Sequence, residues 1–243
     1  MSISSERLQQ LEEFCKKYNL FFNDKDLLNQ AFVHSSYTRE NNLDISLSYE
    51  KLEFYGDAVL KLVVSKLLYD NFPDFAEGKL TKARAELVSD KNIFEYAKQI
   101  GFCELIVLGK NEKKQGGAKK ESIIACAFEA FLGALFIEYK ANGFEKAKEF
   151  IENNFLDDIL KIEEKMNFLN PKATLQEYTQ GINRQLPKYI VVSEVGKAHK
   201  KTFFVEVSFN DEIIGKGDAQ TIKQAEQNAA FDALKKLGVI KWV

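Results

Sequence analysis

Residues 50–70, EKLEFYGDAVLKLVVSKLLYD, constrain the fold of this 243-residue chain more than any other stretch. Apolar residues recur in it at spacings of three and four, which is the period of one face of an α-helix. The residues of this apolar face are Leu52, Tyr55, Val59, Leu62 and Val63. The pattern predicts a long helix that buries this face, and Pro73 marks its end.

The same helix carries an unusual group of acidic residues. Glu50, Glu53 and Asp57 occupy positions i, i+3 and i+7, which share one helix face and place neighbouring Cβ atoms about 5–6 Å apart. Like charges at this spacing destabilise a helix unless the face is solvated or a cation binds to it. Mg²⁺ is the natural candidate, because it prefers oxygen ligands. Gly56 lies among these residues, and its missing side chain lets another group approach the helix closely.

A second long stretch, residues 120–139, is apolar on almost every side. Such a pattern predicts a helix at the centre of the core. Glu129 lies within this stretch. A lone buried carboxylate is costly unless it is paired or bound to a metal ion, so the sequence makes Glu129 a candidate metal ligand.

The string EKLEFYGDAVL closely resembles the signature of the ribonuclease III family of double-stranded RNA endonucleases. Further segments that match family motifs, in the same order, are residues 22–37, 77–88 and 121–139. The resemblance implies an all-α endonuclease domain that forms a homodimer. In that dimer Phe54 would insert into the partner subunit.

The resemblance also implies a set of site residues. Glu53, Asp57 and Glu129 would hold Mg²⁺, with Mn²⁺ as a substitute, and Asp57 and Glu129 would be catalytic. Glu50 and Glu77 would support the site. The reaction expected is metal-dependent hydrolysis that leaves 5′-phosphate and 3′-hydroxyl ends.

Cys126 is the main departure from the family pattern, because the family has an aspartate at this position. A thiol is a soft ligand and a poor partner for Mg²⁺, yet Cys126 is still expected to lie beside the site in a supporting position. Three outcomes remain open. The enzyme is active with three carboxylates, or it has weaker or altered metal binding, or it has lost cleavage and kept RNA binding.

Two other features have more ordinary interpretations. His34 follows an apolar helix and is expected to be a hydrogen-bonded structural residue. Residues 106–120 combine three glycines with five lysines. This composition indicates a flexible basic loop, either near a phosphate backbone or simply in solvent.

From residue 188 the period of the pattern changes to two, which is typical of β-strands. Strands are predicted at residues 188–195, 202–209 and 212–219, between helices at 171–180 and 220–237. This α-β-β-β-α order resembles the small α+β double-stranded RNA-binding domain. Duplex RNA is recognised mostly by shape, through phosphates and 2′-hydroxyls. The residues expected to contact it are Gln176, Glu177, His199, Lys200, Lys201 and Lys223.

Two positions in this region depart from the RNA-binding pattern. Ile222 replaces the first of two adjacent lysines at the start of the last helix, and Ala173 replaces a common threonine. Both departures predict weaker, but not absent, binding of duplex RNA.

The chain is therefore expected to be a two-domain protein. The predicted boundaries are an endonuclease domain at 1–157, a charged linker at 158–170 and an RNA-binding domain at 171–243. Charge supports this division: residues from 171 onward carry 11 Lys and Arg against 8 Asp and Glu, and earlier residues carry 23 against 28. A basic second part suits nucleic-acid binding.

The three cysteines show no metal-binding spacing and no paired pattern, so a reduced, cytoplasmic location is expected. No signal peptide and no membrane span are expected, and no small-molecule cofactor. The function expected is processing of rRNA and mRNA by cleavage of duplex RNA. The alternatives are a double-stranded RNA-binding scaffold weakened in catalysis by Cys126, and a structural protein associated with ribosomes.

Overall fold

The computed structural model describes residues 3–197 and 200–240, apart from the side chains of residues 168 and 169. It divides into two compact units, Met1–Leu160 and Lys161–Val243. The first unit is built from the helices α1 (Ser5–Lys17), α2 (Lys25–Gln30), α3 (Ser35–Glu40), α4 (Glu50–Asn71), α5 (Glu77–Leu87), α6 (Asp90–Gln99), α7 (Phe102–Leu105), α8 (Lys110–Lys114), α9 (Glu121–Tyr139) and α10 (Gly143–Leu160).

Helix α9 is the centre of the first unit, as its sequence predicts. It packs against α4, α6 and α10. Phe128 and Phe131 on α9 are fully buried and make ring contacts with Phe102 and Phe150. Burial of each such side chain stabilises the fold by about 1.5–3 kcal/mol. The aromatic core therefore holds α9 rigidly against its neighbours.

Helix α4 forms over almost the predicted range, but its buried face is rotated from the predicted one. Val59, Leu60 and Val63 are buried. Tyr55 and Leu62, predicted to share this face, are 40% and 56% exposed, so that part of the prediction is wrong. The face that meets α9 passes through Gly56 instead, because only a residue without a side chain fits there.

Polar contacts fix the ends of the first helices. The Ser4 side chain accepts a hydrogen bond from the backbone N–H of Arg7 and caps α1. Asp24 caps α2 in the same way. The Glu138 carboxylate, on α9, accepts hydrogen bonds from the backbone N–H groups of Asn23 and Asp24. These contacts join the start of α2 to the end of α9.

Three segments contain more helix than their sequence suggests. Helix α5 begins at Glu77, directly before Gly78, a residue type that usually signals a break in a helix. The basic segment 106–120 contains α8 and a short 3₁₀ turn. Residues 158–170, predicted as a linker, contain the end of α10 and helix α11 (Ile162–Leu169).

The second unit is a three-stranded antiparallel sheet with flanking helices. Besides α11, its elements are α12 (Pro171–Asn183), β1 (Lys188–Val195), β2 (Thr202–Phe209), β3 (Glu212–Ala219) and α13 (Ile222–Lys236). The strand order is β1-β2-β3. Asn210 and Asp211 both have positive φ, 52° and 63°, in the tight turn between β2 and β3. This confirms the predicted α-β-β-β-α order.

The sheet packs on one face against α13. Val205 and Val207 of β2 meet Ala229 and Ala233 of α13 in the core of this unit. A Cβ on Gly215 would lie only 2.8 Å from the Cβ of Ala233. Small residues on both elements therefore bring helix and sheet into close contact.

One helical stretch, Glu121–Leu160, is long and apolar enough to cross a membrane by length and composition. Of its most apolar window, 61% is buried inside the protein. Core helices of soluble proteins have the same properties, and α9 is the core helix of the first unit.

Candidate metal centre and RNA-binding residues

The site forms where α4 crosses α9, and two glycines set the distance between the helices. A Cβ on Gly56 would overlap with the backbone carbonyl of Glu129. A Cβ on Gly133 of α9 would lie 2.5 Å from the carbonyl oxygen of Leu52 on α4. Because neither glycine has a side chain, the two backbones touch, and Glu53 faces the same space as Glu129.

Three side chains converge at this crossing, and we call them the α4–α9 cluster: Glu53, Cys126 and Glu129. One ligand atom from each, two carboxylate oxygens and the Cys126 Sγ, lie within 4.8 Å of one another. Cys126 and Glu129 are three residues apart on α9 and share one face. All three residues are partly buried.

The electrostatics of the cluster show an accumulation of negative charge. Burial, and then the charges of Asp57, Glu53 and Asp90, raise the pKa of Glu129 to about 8. Burial also raises the pKa of Glu53, an effect that a hydrogen bond from the Cys126 thiol opposes. With its pKa at about 8, the Glu129 carboxyl is largely protonated at neutral pH unless a cation binds beside it.

Cys126 is in contact with Glu53 rather than isolated. Burial, and then the negative charge of Glu53, raise the pKa of the Cys126 thiol well above its ordinary value. Without a bound cation the thiol is therefore neutral, and it donates a hydrogen bond to the Glu53 carboxylate.

Asp57 lies beside the cluster but has a different partner. Its Oδ2 atom accepts a hydrogen bond from the Lys61 Nζ at 2.7 Å. Asp57 is not in the group of ligand atoms found within 4.8 Å among the described residues. Its charge still raises the pKa of Glu129.

The two carboxylates predicted to support the site lie outside the α4–α9 cluster. Glu50 is exposed, forms a long ion pair with Arg39 at 3.9 Å and adds to the negative field at Glu53. The Glu77 carboxylate accepts a hydrogen bond from the Thr81 hydroxyl at 2.9 Å, at the start of α5.

Sequence reasoning alone misses Asp90. This residue is the first of α6, and its local pattern indicates only the start of a helix. Its charge contributes to the raised pKa values of Glu53, Cys126 and Glu129, so it lies close to all three. Only the packing of α6 against α9 places it there, and no local pattern signals that contact.

His34 has the structural role expected from the sequence. Its Nδ1 atom accepts a hydrogen bond from the backbone N–H of Ser36 and caps α3. Its ring lies 5.6 Å from the ring of Tyr49, the residue before α4. Nearby, Glu112 and Lys120 form an ion pair at 2.6 Å that joins α8 to the start of α9.

In the second unit, the predicted RNA-binding residues lie on α12, α13 and the β1–β2 connection. Lys223 is exposed in the first turn of α13, whose backbone is capped by the Thr221 side chain. Gln176 and Glu177 are exposed on α12. An open cavity of about 730 Å³ lies beside Lys223 and is lined mostly by polar side chains.

The β1–β2 connection is described only in part. Lys200 is exposed, whereas the Lys201 Nζ forms an ion pair with Glu194 at 2.7 Å. His199, which the sequence assigns to this RNA contact, lies outside the described residues. Ile222, at the position of a usual lysine, is 43% exposed at the start of α13.

Both units are similar to known protein families. A family model described as "Ribonuclease-III-like" matches residues 24–159, and the "Double-stranded RNA binding motif" model matches residues 171–237. Curated relatives named Ribonuclease 3 include one from Listeria welshimeri, 40% identical and covering 95% of this chain and 99% of the relative. Another, from Enterococcus faecalis, is 42% identical over 93% of this chain and 96% of the relative.

A solved structure agrees with the helical unit. The nuclease domain of ribonuclease III from Campylobacter jejuni matches with a TM-score of 0.53 and 38% identity. The match covers 60% of this chain and 98% of that domain. A helical nuclease unit with an acidic group that could hold a metal ion, followed by an RNA-binding module, defines a metal-dependent ribonuclease. The chain belongs to the ribonuclease III family.

Proposed function

We propose that the protein cleaves double-stranded RNA by metal-dependent hydrolysis of phosphodiester bonds, with products that carry 5′-phosphate and 3′-hydroxyl ends. The observation that carries this proposal is the convergence of Glu53 and Glu129 at the α4–α9 crossing in a chain of this family. The relatives' names support cleavage, so a scaffold without catalysis is not proposed.

The donor set of the cluster fits a divalent cation. Two carboxylates converge within 4.8 Å, and Asp57 and Asp90 add charge beside them. Burial, and then the nearby negative charges, raise the pKa of Glu129 to about 8, and a bound cation would neutralise those charges. We propose Mg²⁺ as the ion, with Mn²⁺ as a substitute, because both favour oxygen ligands.

The proposed roles follow from where each side chain lies. Glu53 and Glu129 would hold the ion, and Asp57, whose Oδ2 atom is paired with Lys61, would join them. Glu50 and Glu77 remain supporting residues outside this shell. When bound, the ion lowers the pKa of a water molecule and stabilises charge on the attacking and leaving oxygens. Glu129 would lose its proton as the ion binds, since a carboxylate must be ionised to act as a ligand.

The second unit would deliver the duplex. Lys223 lies in the first turn of α13, where free backbone N–H groups favour phosphate oxygens. Gln176 and Glu177 on α12 would reach 2′-hydroxyl groups, which line the wide minor groove of duplex RNA. Lys200, Lys201 and the neighbouring His199 would contact a second groove.

The protein would act as a homodimer. Phe54 on α4 is 81% exposed, and the same helix exposes Leu62 and Tyr69 by 56% and 73%. Apolar side chains left exposed in this way on one helix mark an interaction surface. The Campylobacter jejuni nuclease domain is described as having a region involved in dimer formation. Two equivalent sites in a dimer would cut both strands of a duplex.

The cellular substrates proposed are structured precursors of rRNA and mRNA, processed in the cytoplasm. The basic RNA-binding module supports this assignment, and so do the three cysteines, none of which is paired. No small-molecule cofactor and no membrane partner are proposed.

Cleavage can be tested with a long RNA duplex incubated with Mg²⁺, Mn²⁺ or EDTA and resolved on a gel. The proposal predicts shortening of the duplex with either metal and none with EDTA. Single-stranded RNA of the same length serves as the control substrate. A mobility shift without shortening in every metal would contradict the proposal and support a binding scaffold.

A further inference from the structure

Cys126 makes the α4–α9 cluster chemically different from a site of carboxylates alone. Its Sγ lies within 4.8 Å of carboxylate oxygens from both Glu53 and Glu129. Cys126 and Glu129 come from one face of α9, and Glu53 comes from α4. The thiol sulfur of Cys126, a soft ligand, therefore lies in the same space as the carboxylate oxygens of Glu53 and Glu129, which are hard ligands.

We propose that the α4–α9 cluster binds a thiophilic divalent ion, Zn²⁺ or Co²⁺, with Cys126 Sγ as a direct ligand, and that this ion competes with Mg²⁺ for the site. The inference concerns the same site and rests on the proposed function for the assignment of Glu53 and Glu129 as ligands. Binding of the soft ion would therefore inhibit or modify the activity that Mg²⁺ supports.

Ligand chemistry supports the selectivity. Thiolates favour Zn²⁺ and similar ions, whereas Mg²⁺ favours carboxylates and water. Affinity for first-row ions also rises from Mn²⁺ towards Co²⁺ and beyond at sites of mixed ligands. The Cys126 thiol and the protonated Glu129 carboxyl give their protons to solvent as their bonds to the metal form. One thiolate and two carboxylates then surround the divalent ion, so the occupied site keeps a single net negative charge.

The distances allow a shared ion after small side-chain rotations. Zn²⁺ binds sulfur at about 2.3 Å and carboxylate oxygen at about 2.0–2.2 Å, which places two tetrahedral ligand atoms about 3.6 Å apart. The three ligand atoms here lie within 4.8 Å of one another. The glycine contact between α4 and α9 holds the backbones in place, so only χ rotations of Glu53, Cys126 and Glu129 are needed.

A competing role for Cys126 is to orient Glu53 by donating a hydrogen bond to it. Serine can also donate that hydrogen bond, but its hydroxyl does not bind thiophilic ions as a thiolate does. Cys126→Ser therefore separates a ligand from a positioning residue. Cys126→Asp, which supplies a hard ligand, gives a second variant with the opposite metal preference.

The test uses the full-length protein stripped of metal and titrated with Co²⁺, whose bond to a thiolate gives a charge-transfer absorption band in the near ultraviolet. The wild-type protein should show the band, and Cys126→Ser and Cys126→Asp should lose it. Cys103→Ser is the matched control, since Cys103 is another partly buried cysteine on a different helix, α7, and that variant should keep the band.

A competition experiment measures the preference. The Mg²⁺ concentration that displaces half of the bound Co²⁺, measured as the Co²⁺ retained by the protein, should be at least about ten-fold higher for the wild type than for Cys126→Asp. The variant replaces a ligand that favours Co²⁺ with one that favours Mg²⁺, and single changes around a metal site alter its affinity by about 10–100-fold. Thermal unfolding of each variant checks that it is folded. Absence of the band in the wild type, or its persistence in Cys126→Ser, would overturn the inference.

The two proposals can fail separately. Cleavage of duplex RNA with Mg²⁺ but no Co²⁺ band would reject the soft-ion site and leave the proposed function intact. A Co²⁺ band without cleavage in Mg²⁺ or Mn²⁺ would support the soft-ion site and reject the proposed nuclease activity.

Discussion

Gly56 on α4 lies directly against the backbone carbonyl of Glu129 on α9, so closely that a Cβ on Gly56 would overlap with it. This contact explains why a glycine occupies the interior of a long helix, where it costs up to about 1 kcal/mol relative to alanine. It also explains how Glu53, one turn from Gly56, comes to lie beside Glu129. The crossing of the two helices and the α4–α9 cluster are thus parts of one structural feature.

Gly56→Ala should therefore impair both the fold and the site. The added methyl group must push α9 away, and overpacking of this kind costs about 1–3 kcal/mol. We expect a lower midpoint of thermal unfolding and weaker binding of Mg²⁺ or Mn²⁺. Gly78→Ala is the matched control, because a Cβ there meets nothing within 4 Å. Equal stability of the two variants would contradict the importance of the glycine contact.

The pKa of Glu129 predicts how stability depends on pH in the metal-free protein. The folded-state pKa of about 8 exceeds the ordinary value of 4.5, so the folded state binds this proton more tightly than the unfolded state. The stability gained from this group is present below pH 4.5 and is lost as pH rises through about 8. Thermal unfolding is measured in EDTA across this pH range. The stability of Glu129→Gln should fall less with rising pH than the stability of the wild-type protein. The same pH dependence in both proteins would show that Glu129 does not titrate in this way.

Lys223→Ala should weaken binding of duplex RNA without affecting the nuclease unit. The loss of one phosphate contact should reduce the slope of log affinity against log salt concentration by about 1. Lys236→Ala, at the other end of α13, is the control, because Lys236 is paired with Asp232 at 2.6 Å. Fluorescence anisotropy with a labelled duplex measures the affinity and the salt slope of both variants. An unchanged salt slope for Lys223→Ala would remove Lys223 from the set of phosphate contacts.

Phe54→Ala should weaken the proposed homodimer. A side chain that is 81% exposed contributes little to the fold of one subunit, so its loss should affect association rather than stability. We expect a dimer dissociation constant raised about ten-fold or more, which corresponds to about 1.4 kcal/mol. Analytical ultracentrifugation measures it, and Phe21→Ala, at a phenylalanine that is 64% exposed, is the control. If Phe54→Ala and the wild type dissociate alike, Phe54 is not a dimer contact.

Much of the fold follows from local patterns in the sequence. The three strands form at the predicted residues because alternation with β-branched and aromatic side chains is a local signal. Helices α4 and α9 also form where their periodicity places them. The start of α5 at Glu77 is harder to predict because Gly78 suggests a break, although glycine is tolerated in the first turn of a helix. The helical segment α11 escapes prediction because it is only eight residues long, although Ile162, Met166 and Leu169 recur in it at helical spacing.

The site is predictable only in part. The spacing of Glu53 on α4, and the position of Glu129 within an apolar stretch, both indicate metal ligands from the amino-acid pattern by itself. Which other side chains lie beside Glu53 and Glu129 depends on packing between segments that are distant in the sequence. Asp90 approaches the cluster only because α6 packs on α9, and the Asp57 side chain pairs with Lys61 rather than with the cluster.

The most direct test of the central claim, that the α4–α9 cluster is the catalytic metal site, is to measure RNA cleavage by the Glu129→Gln variant. The change removes one carboxylate of the α4–α9 cluster but keeps the size of the side chain. Cleavage of a long RNA duplex in Mg²⁺ and binding of the same duplex in EDTA are measured for this variant and for Glu145→Gln, an exposed glutamate on α10. We predict that Glu129→Gln loses cleavage by at least about 100-fold, since even indirect partners of metal ligands contribute 10–100-fold, and that it binds the duplex as the wild type does. Cleavage at the wild-type rate by Glu129→Gln would contradict the account.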